Sequence, residues 1–417
     1  MNDSQPAFPI RVAFQLLLSL LGLGSAWLIG LLLLGMGALG YFSGSALFHT
    51  SAEPLLALGW AFLLLGLVAL PSLWAAGLRL WGKEPAPLRL NLVSASLALL
   101  LVPLIIVVGA GVLQADGVLR LFMPFFQIAV VVIPALWLVA YLTRPAQPVR
   151  AGRFWGAMNV GVFFVTPLIL LVEGMLMVLM LIGVIAFLSS RPEMMQYLAD
   201  LSSRLLHAAG DPEMILRIYR PILRQPLVLF GIAAIFTVFV PLIEEALKPL
   251  AVWLLAGDRL TPAEGFWLGG VCGAGFALVE SLFSVIGADA TSWMTLAVGR
   301  IGTTTLHITT AALMGGALAQ AWQSRRYERL GLMYLLVVGL HGLWNLLALT
   351  SGLARVLEPS QPLRDILSLA DRLSPFALLV LALALFWLLA IERTAVNRAG
   401  AVMPAPVLND SVESKES

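Results

Sequence analysis

Apolar residues run along this chain in stretches of about 20 or more, broken by short polar turns. A stretch of that length carries an α-helix across the hydrocarbon core of a bilayer. The pattern predicts spans at 12–40, 54–78, 90–113, 121–142, 154–188, 226–256, 265–287, 293–322, 330–354 and 374–391. Spanning segments must satisfy their own backbone hydrogen bonds, so the expected fold is all-α, a polytopic membrane protein of about ten transmembrane helices. The first stretch, Val12 to about Gly40, far exceeds the roughly 7–15 residues of a signal-peptide core and has only Arg11 on its flank, so it reads as a span. The segment 154–188 is longer than a bilayer requires and contains Thr166-Pro167, which predicts a kink or a protruding end.

Composition strengthens this picture. The chain has 417 residues, 60% hydrophobic and 12% charged, against about 45–50% and about 25% in soluble domains. A net charge of +2 gives no reason to expect a nucleic-acid partner. Cys272 is the only cysteine, which excludes an intrachain disulfide and a thiolate metal cluster, and it reads as a small buried hydrophobe. Arg79, Lys83 and Arg89 fall on one side with Arg144, Arg150 and Arg153 and with Arg325, Arg326 and Arg329, whereas the connections at 43–53 and 288–292 carry no Lys or Arg. The positive-inside rule then places both termini in the cytoplasm of a multi-pass cell-membrane protein.

The long connection at 189–225 shows two amphipathic patterns. Pro192 opens one with Met195, Leu198, Leu201 and Leu205 on a face, closed by Gly210; Asp211-Pro212 opens another with Ile215, Ile218 and Ile222. These are expected as helices lying on the bilayer, or as a lid, with His207 a solvated interfacial residue. The connection divides the chain into an accessory bundle at 1–188, interfacial helices at 189–225, a core at 226–354, and a last span with its tail at 355–417. The polar end from about Thr394 is expected to be disordered.

The division follows the polar residues. Glu244-Glu245-x-x-Lys248, Glu280, His307 and His341-x-x-x-Asn345 all sit inside apolar stretches, where such groups persist mainly if they pair or line a cavity. Measured at about 1.5 Å per residue from Ala256, Gly265, Trp322 and Leu330, the four positions lie roughly 16–23 Å from one membrane face. Four helices therefore deliver their polar residues to one layer. Glu244 and Lys248 share a helical face, as do His341 and Asn345. Glu245 is turned about 100° away, toward a neighbouring helix. Pro241 is expected to kink its helix and make room for water. Gly269-x-x-x-Gly273 and Gly315-Gly316 favour close packing, and Thr303 is placed to orient His307. Arg300 reads as a snorkelling residue, and Glu173 has no partner visible in sequence.

Carboxylates, imidazoles and an amide can activate water and stabilise an oxyanion. Glu244 or Glu245 is the candidate general base, His341 and Asn345 the candidate oxyanion donors, and Glu280 and His307 complete the water site. Glu280, His307 and His341 are candidate ligands of a zinc ion, although a carboxylate-activated water needs no metal. A transporter or scaffold with a polar core is the alternative, and the absence of an evident inverted repeat counts against it.

The residues Glu244-Glu245-Ala246-Leu247-Lys248, Phe276-Ala277-Leu278-Val279-Glu280, His307 and His341-Gly342-Leu343-Trp344-Asn345 resemble the signature of the PrsW family of intramembrane proteases, relatives of the CAAX-processing prenyl-protein endopeptidases. Lys248 and Glu280 favour the PrsW branch over the CAAX-processing branch. Ser281 departs from the pattern, where asparagine is expected. The resemblance covers about 226–354 and implies hydrolysis of a peptide bond in a membrane-anchored protein such as an anti-sigma factor, within the lipid bilayer.

Overall fold

The computed structural model describes residues 10–42, 46–115, 117–144, 149–208, 212–258, 260–357 and 363–402. The expected break at Gly210-Asp211 and the tail beyond residue 402 lie outside them. The described residues form helices and no strand; the nearest thing to one is an isolated antiparallel bridge between Leu88 and Val149.

Nine helices among the described residues are long and apolar enough to cross a membrane: α1 (Ile10–Phe42), α2 (Ala52–Leu80), α3 (Leu92–Gln114), α4 (Gly117–Thr143), α5 (Ala151–Ser189), α9 (Pro226–Trp253), α10 (Pro262–Ile286), α12 (Tyr327–Thr350) and α13 (Asp365–Val396). Three short helices, α6 (Pro192–Ala199), α7 (Leu201–His207) and α8 (Pro212–Leu223), follow α5. The tenth expected span is α11, one unbroken helix from Trp293 to Ser324. It is less apolar than the others because Arg300, Thr303, Thr304, Thr305, His307, Thr309 and Thr310 lie along it. Protein rather than lipid surrounds it, and almost every residue from Gly302 to Ala321 is buried. A membrane helix tolerates that polarity when its neighbours supply the partners. The last helix continues to Val402, so the polar end beginning near Thr394 starts helical.

Two helices carry local faults that matter later. In α5 a π-turn spans Gly161–Val165 just before Pro167, where the sequence predicts a kink. In α9 a π-turn spans Ile235–Phe239 ahead of Pro241. Lys248 ends the regular helix that follows this turn, and Pro249 begins the next short one.

Helices α10 and α11 form the central pair. A Cβ added at Gly265 would lie 2.3 Å from the Gly315 carbonyl, at Gly269 2.2 Å from that of Ala311, and at Gly273 2.7 Å from that of His307. Three successive turns of α10 therefore touch the backbone of α11, and no other residue fits there. Thr261 and Glu264 cap the start of α10 reciprocally.

The short helices after α5 keep part of the expected faces, Leu201, Ile218 and Ile222 being packed or buried, and depart at the first turn. Met195 is exposed, whereas Met194, Tyr197 and Leu201 pack beside Leu188, Ile222 and Val228. His207 is exposed and bonds the Ser203 carbonyl.

Candidate active site

All four polar clusters meet. Lys248 Nζ, fully buried, lies 2.9 Å from Glu244 Oε2, 2.7 Å from Glu245 Oε1, 2.7 Å from His307 Nδ1 and 3.3 Å from His341 Nδ1. The i,i+4 spacing does place Glu244 and Lys248 on one face. Glu245 reaches across to α12, its Oε1 lying 2.8 Å from His341 Nδ1. His307 turns its other nitrogen, Nε2, to Glu280 Oε2 at 2.5 Å.

Each imidazole is thus backed by one carboxylate and faces another. His307 pairs with Glu280 through Nε2 and turns Nδ1 toward Glu244 Oε2 at 3.8 Å; His341 pairs with Glu245 through Nδ1 and turns Nε2 toward the same oxygen at 3.9 Å. A carboxylate on one ring nitrogen fixes the tautomer and makes the other nitrogen a better acceptor or ligand. The rings meet edge to face, 5.4 Å between centroids, and the ring of Phe276 packs against His307 at 5.0 Å. Glu244, Glu245, Lys248, His307 and His341 are buried, while the Glu280 side chain stays 35% exposed and marks the open edge of the cluster.

The motif on α12 holds the π-turn of α9. The π-turn bonds Val240 N–H to Ile235 O, which releases the Phe236 carbonyl, and Pro241 has no N–H for that of Thr237. Asn345 Nδ2 donates to Phe236 O at 2.9 Å. A Cβ at Gly342 would lie 2.3 Å from Thr237 O, so only glycine lets α12 approach the second carbonyl. Tyr334 Oη donates to Leu242 O at 2.7 Å and adds a third tie between the two helices. Asn345, expected as an oxyanion donor, therefore spends one amide hydrogen on registering α12 against α9. Thr303 bonds the Gly299 carbonyl of its own helix and does not orient His307.

Two further residues belong to the cluster. Arg300, read from sequence as snorkelling, is mostly buried and pairs with Glu280 Oε1 at 3.0 Å, while its Nε donates to Ser281 Oγ at 3.2 Å. The hydroxyl of Ser281 thus has a structural partner. Arg300 is seven residues before His307, two helical turns along the same face, and that spacing was its readable signal. Glu173 comes from α5 and sits against the Glu244 carboxylate. Its signal was an acid in an apolar run; nothing in its own helix pointed to the partner.

Residues 215–390 match the model of the PrsW family intramembrane metalloproteases. The match contains every residue of the cluster except Glu173. The chain is a multi-pass membrane protein, and the segment that matches this family model covers less than half of its length. No curated protein and no solved structure gives a significant match.

The family description raises a metal, and the donor set can be tested against it. Ligand atoms of Glu244, His307 and His341 lie within 4.8 Å of one another. Two imidazoles and a carboxylate are a set that zinc accepts in hydrolases, with one position left open. Charge points the same way. Glu173, Glu244, Glu245 and Glu280 face only two cations, Lys248 and Arg300, and unbalanced buried carboxylates call for a proton or a cation. The donor set fits a divalent metal, but Lys248 Nζ lies 2.9 Å from Glu244 Oε2 and 2.7 Å from His307 Nδ1, so a metal on these atoms requires that ammonium to move aside.

Proposed function

We propose that this chain hydrolyses a peptide bond of a membrane-anchored protein, with a regulatory protein such as an anti-sigma factor as the substrate type. The observation that carries the reading is the convergence of two carboxylate-backed imidazoles on Glu244. Glu244 accepts the proton of the attacking water and passes it to the leaving amine. Lys248 places positive charge beside the carbonyl oxygen as it becomes an oxyanion, and Glu245 holds His341 in its orientation. Glu280 and Arg300 hold His307 in its orientation. The partly exposed Glu280 lies on the side from which substrate and water enter.

In the metal-bound alternative, Glu244, His307 and His341 would hold a zinc ion, Glu244 then serving as ligand rather than as base, with Glu280 and Glu245 as the partners of the two imidazoles. Zinc, when bound, acidifies a water and polarises a carbonyl. This donor set replaces Glu280 of the sequence-based set with Glu244, because Glu280 is engaged with His307 Nε2 and Arg300.

The test is cleavage of a membrane-anchored reporter by the purified, reconstituted chain and by Glu244→Gln. Loss of the base lowers turnover by about 10²–10⁴ while the variant stays folded. Near-wild-type turnover by the variant overturns the reading. Elemental analysis of the same preparations tests the metal: full activity at far substoichiometric zinc removes zinc from the proposal and leaves the carboxylate chemistry standing.

A further inference from the structure

A cavity of about 350 Å³ that shares no lining residue with the carboxylate cluster opens between the start of α1, the end of α2, the first turns of α5 and the end of α9 with the turn that follows it. Its volume falls within the roughly 300–1,000 Å³ of small-molecule sites. Its lining combines two chemistries: the guanidiniums of Arg11, Arg79 and Arg153, and the apolar side chains of Phe14, Leu18 and Leu255.

The arginines are only partly neutralised. Arg11 and Arg153 share Asp258, and Arg153 also holds Glu264 at 3.0 Å. The nearest acid to Arg79 is Glu84, which is exposed and 4.0 Å away. Three guanidiniums therefore meet two close carboxylates, and their planar forks keep N–H donors to spare. A second observation is independent of this charge. Asn159 also lines the cavity, is fully buried, and has no hydrogen-bond partner for either its Oδ1 or its Nδ2. An amide left unsatisfied in a protein interior costs stability unless a ligand or water completes it.

We propose that this cavity binds the phosphate headgroup of an anionic phospholipid, with an acyl chain running along Phe14 and Leu18. The surplus cationic donors match a phosphodiester, the amide of Asn159 matches a glycerol or ester oxygen, and the apolar wall matches a chain. Basic pockets between membrane helices recognise headgroups in this way. The site is independent of the peptidase reading, since it shares no residue with the carboxylate cluster.

The experiment is native mass spectrometry of the full chain in detergent, offered phosphatidylglycerol or phosphatidylcholine, with a third arm in which excess inorganic phosphate competes. The wild type is expected to retain phosphatidylglycerol in clear preference to phosphatidylcholine, with phosphate failing to displace it. Arg79→Gln lowers that retention about fivefold, the effect of one basic residue near an anionic headgroup, and Asn159→Leu lowers it by filling the cavity. Equal retention of the two lipids overturns the proposal. So does displacement by phosphate, which marks a free-anion site, or unchanged retention by the folded Arg79→Gln protein.

Discussion

Helices α1 and α2, like α10 and α11, pack on one another with small residues at the contact, though less closely. A Cβ at Gly30 would meet the Gly59 carbonyl at 3.0 Å, and one at Gly37 the Ala52 carbonyl at 3.1 Å. Both pairs also bury polar side chains. In the first pair these are neutral and satisfy one another: Gln15 donates to Ser72 Oγ at 3.1 Å, and the hydroxyls of Ser19 and Ser72 lie 3.0 Å apart. The second pair brings an imidazole and a carboxylate from its two helices to 2.5 Å, within a cluster holding more carboxylates than cations. Close glycine packing is shared and marks no chemistry by itself. What separates the pairs is ionisable groups held where only other helices can compensate them. The apolar window of α1 is 22% buried, against 72% for α10.

The comparison is broken most directly at the imidazoles. His307→Ala and His341→Ala are each expected to lower reporter cleavage by about 10²–10⁴. Gln15→Ala in the first pair costs stability, about 1 kcal/mol, and leaves cleavage unchanged. A loss of turnover in Gln15→Ala matching that of the histidine variants would erase the distinction.

A smaller effect is expected from the partners that hold the site. Arg300→Gln leaves Glu280 with the imidazole alone, and a loss of about 10–100-fold in activity is the usual cost of removing an orienting partner. Retention of wild-type turnover would reduce the Arg300–Glu280 pair to a structural tie.

Packing is tested by adding one methyl group. Gly269→Ala forces a Cβ toward the Ala311 carbonyl and is expected to cost about 1–3 kcal/mol, with cleavage falling as α10 and α11 separate. Gly35→Ala, on α1 with nothing within 4 Å of the added Cβ, is expected to raise stability by about 0.5–1 kcal/mol. Thermal denaturation in one detergent reads both, and equal shifts of the same sign would refute the contrast.

The smallest effect lies at the turn before α11. Asp289 Oδ1 accepts hydrogen bonds from the side chains and backbone of Ser292 and Thr291, which hold its carboxyl down to about 2 from the ordinary 3.8. A depressed carboxylate stabilises the fold above its unfolded value, and the stabilisation is lost as pH falls through about 2. Amide exchange at Thr291 and Ser292 should therefore speed up, relative to exposed amides, only below about pH 4. Faster relative exchange already at neutral pH in Asp289→Ala is the matching result, and no change in that variant would remove the cap.

Much of this was legible along the chain. Apolar length alone predicts the helices, and counting along each one brings Glu244, Glu280, His307 and His341 to a common depth. The i,i+4 spacing puts Lys248 over Glu244, and the four motifs carry the family resemblance later matched over 215–390. Helical periodicity supplies height and angle on a residue's own helix, and these readings need nothing more. It says nothing about which helix stands opposite, or how far that helix is rotated. Only the packed structure shows that Arg300 serves Glu280, that Glu173 arrives beside Glu244 from α5, that Asn345 ties down a carbonyl released by a π-turn, and which nitrogen of each imidazole faces Glu244. Glycines that bring one helix so near its neighbour that an added Cβ would lie 2.2–2.7 Å from a carbonyl oxygen constrain those rotations, and such contacts exist only once the helices have met.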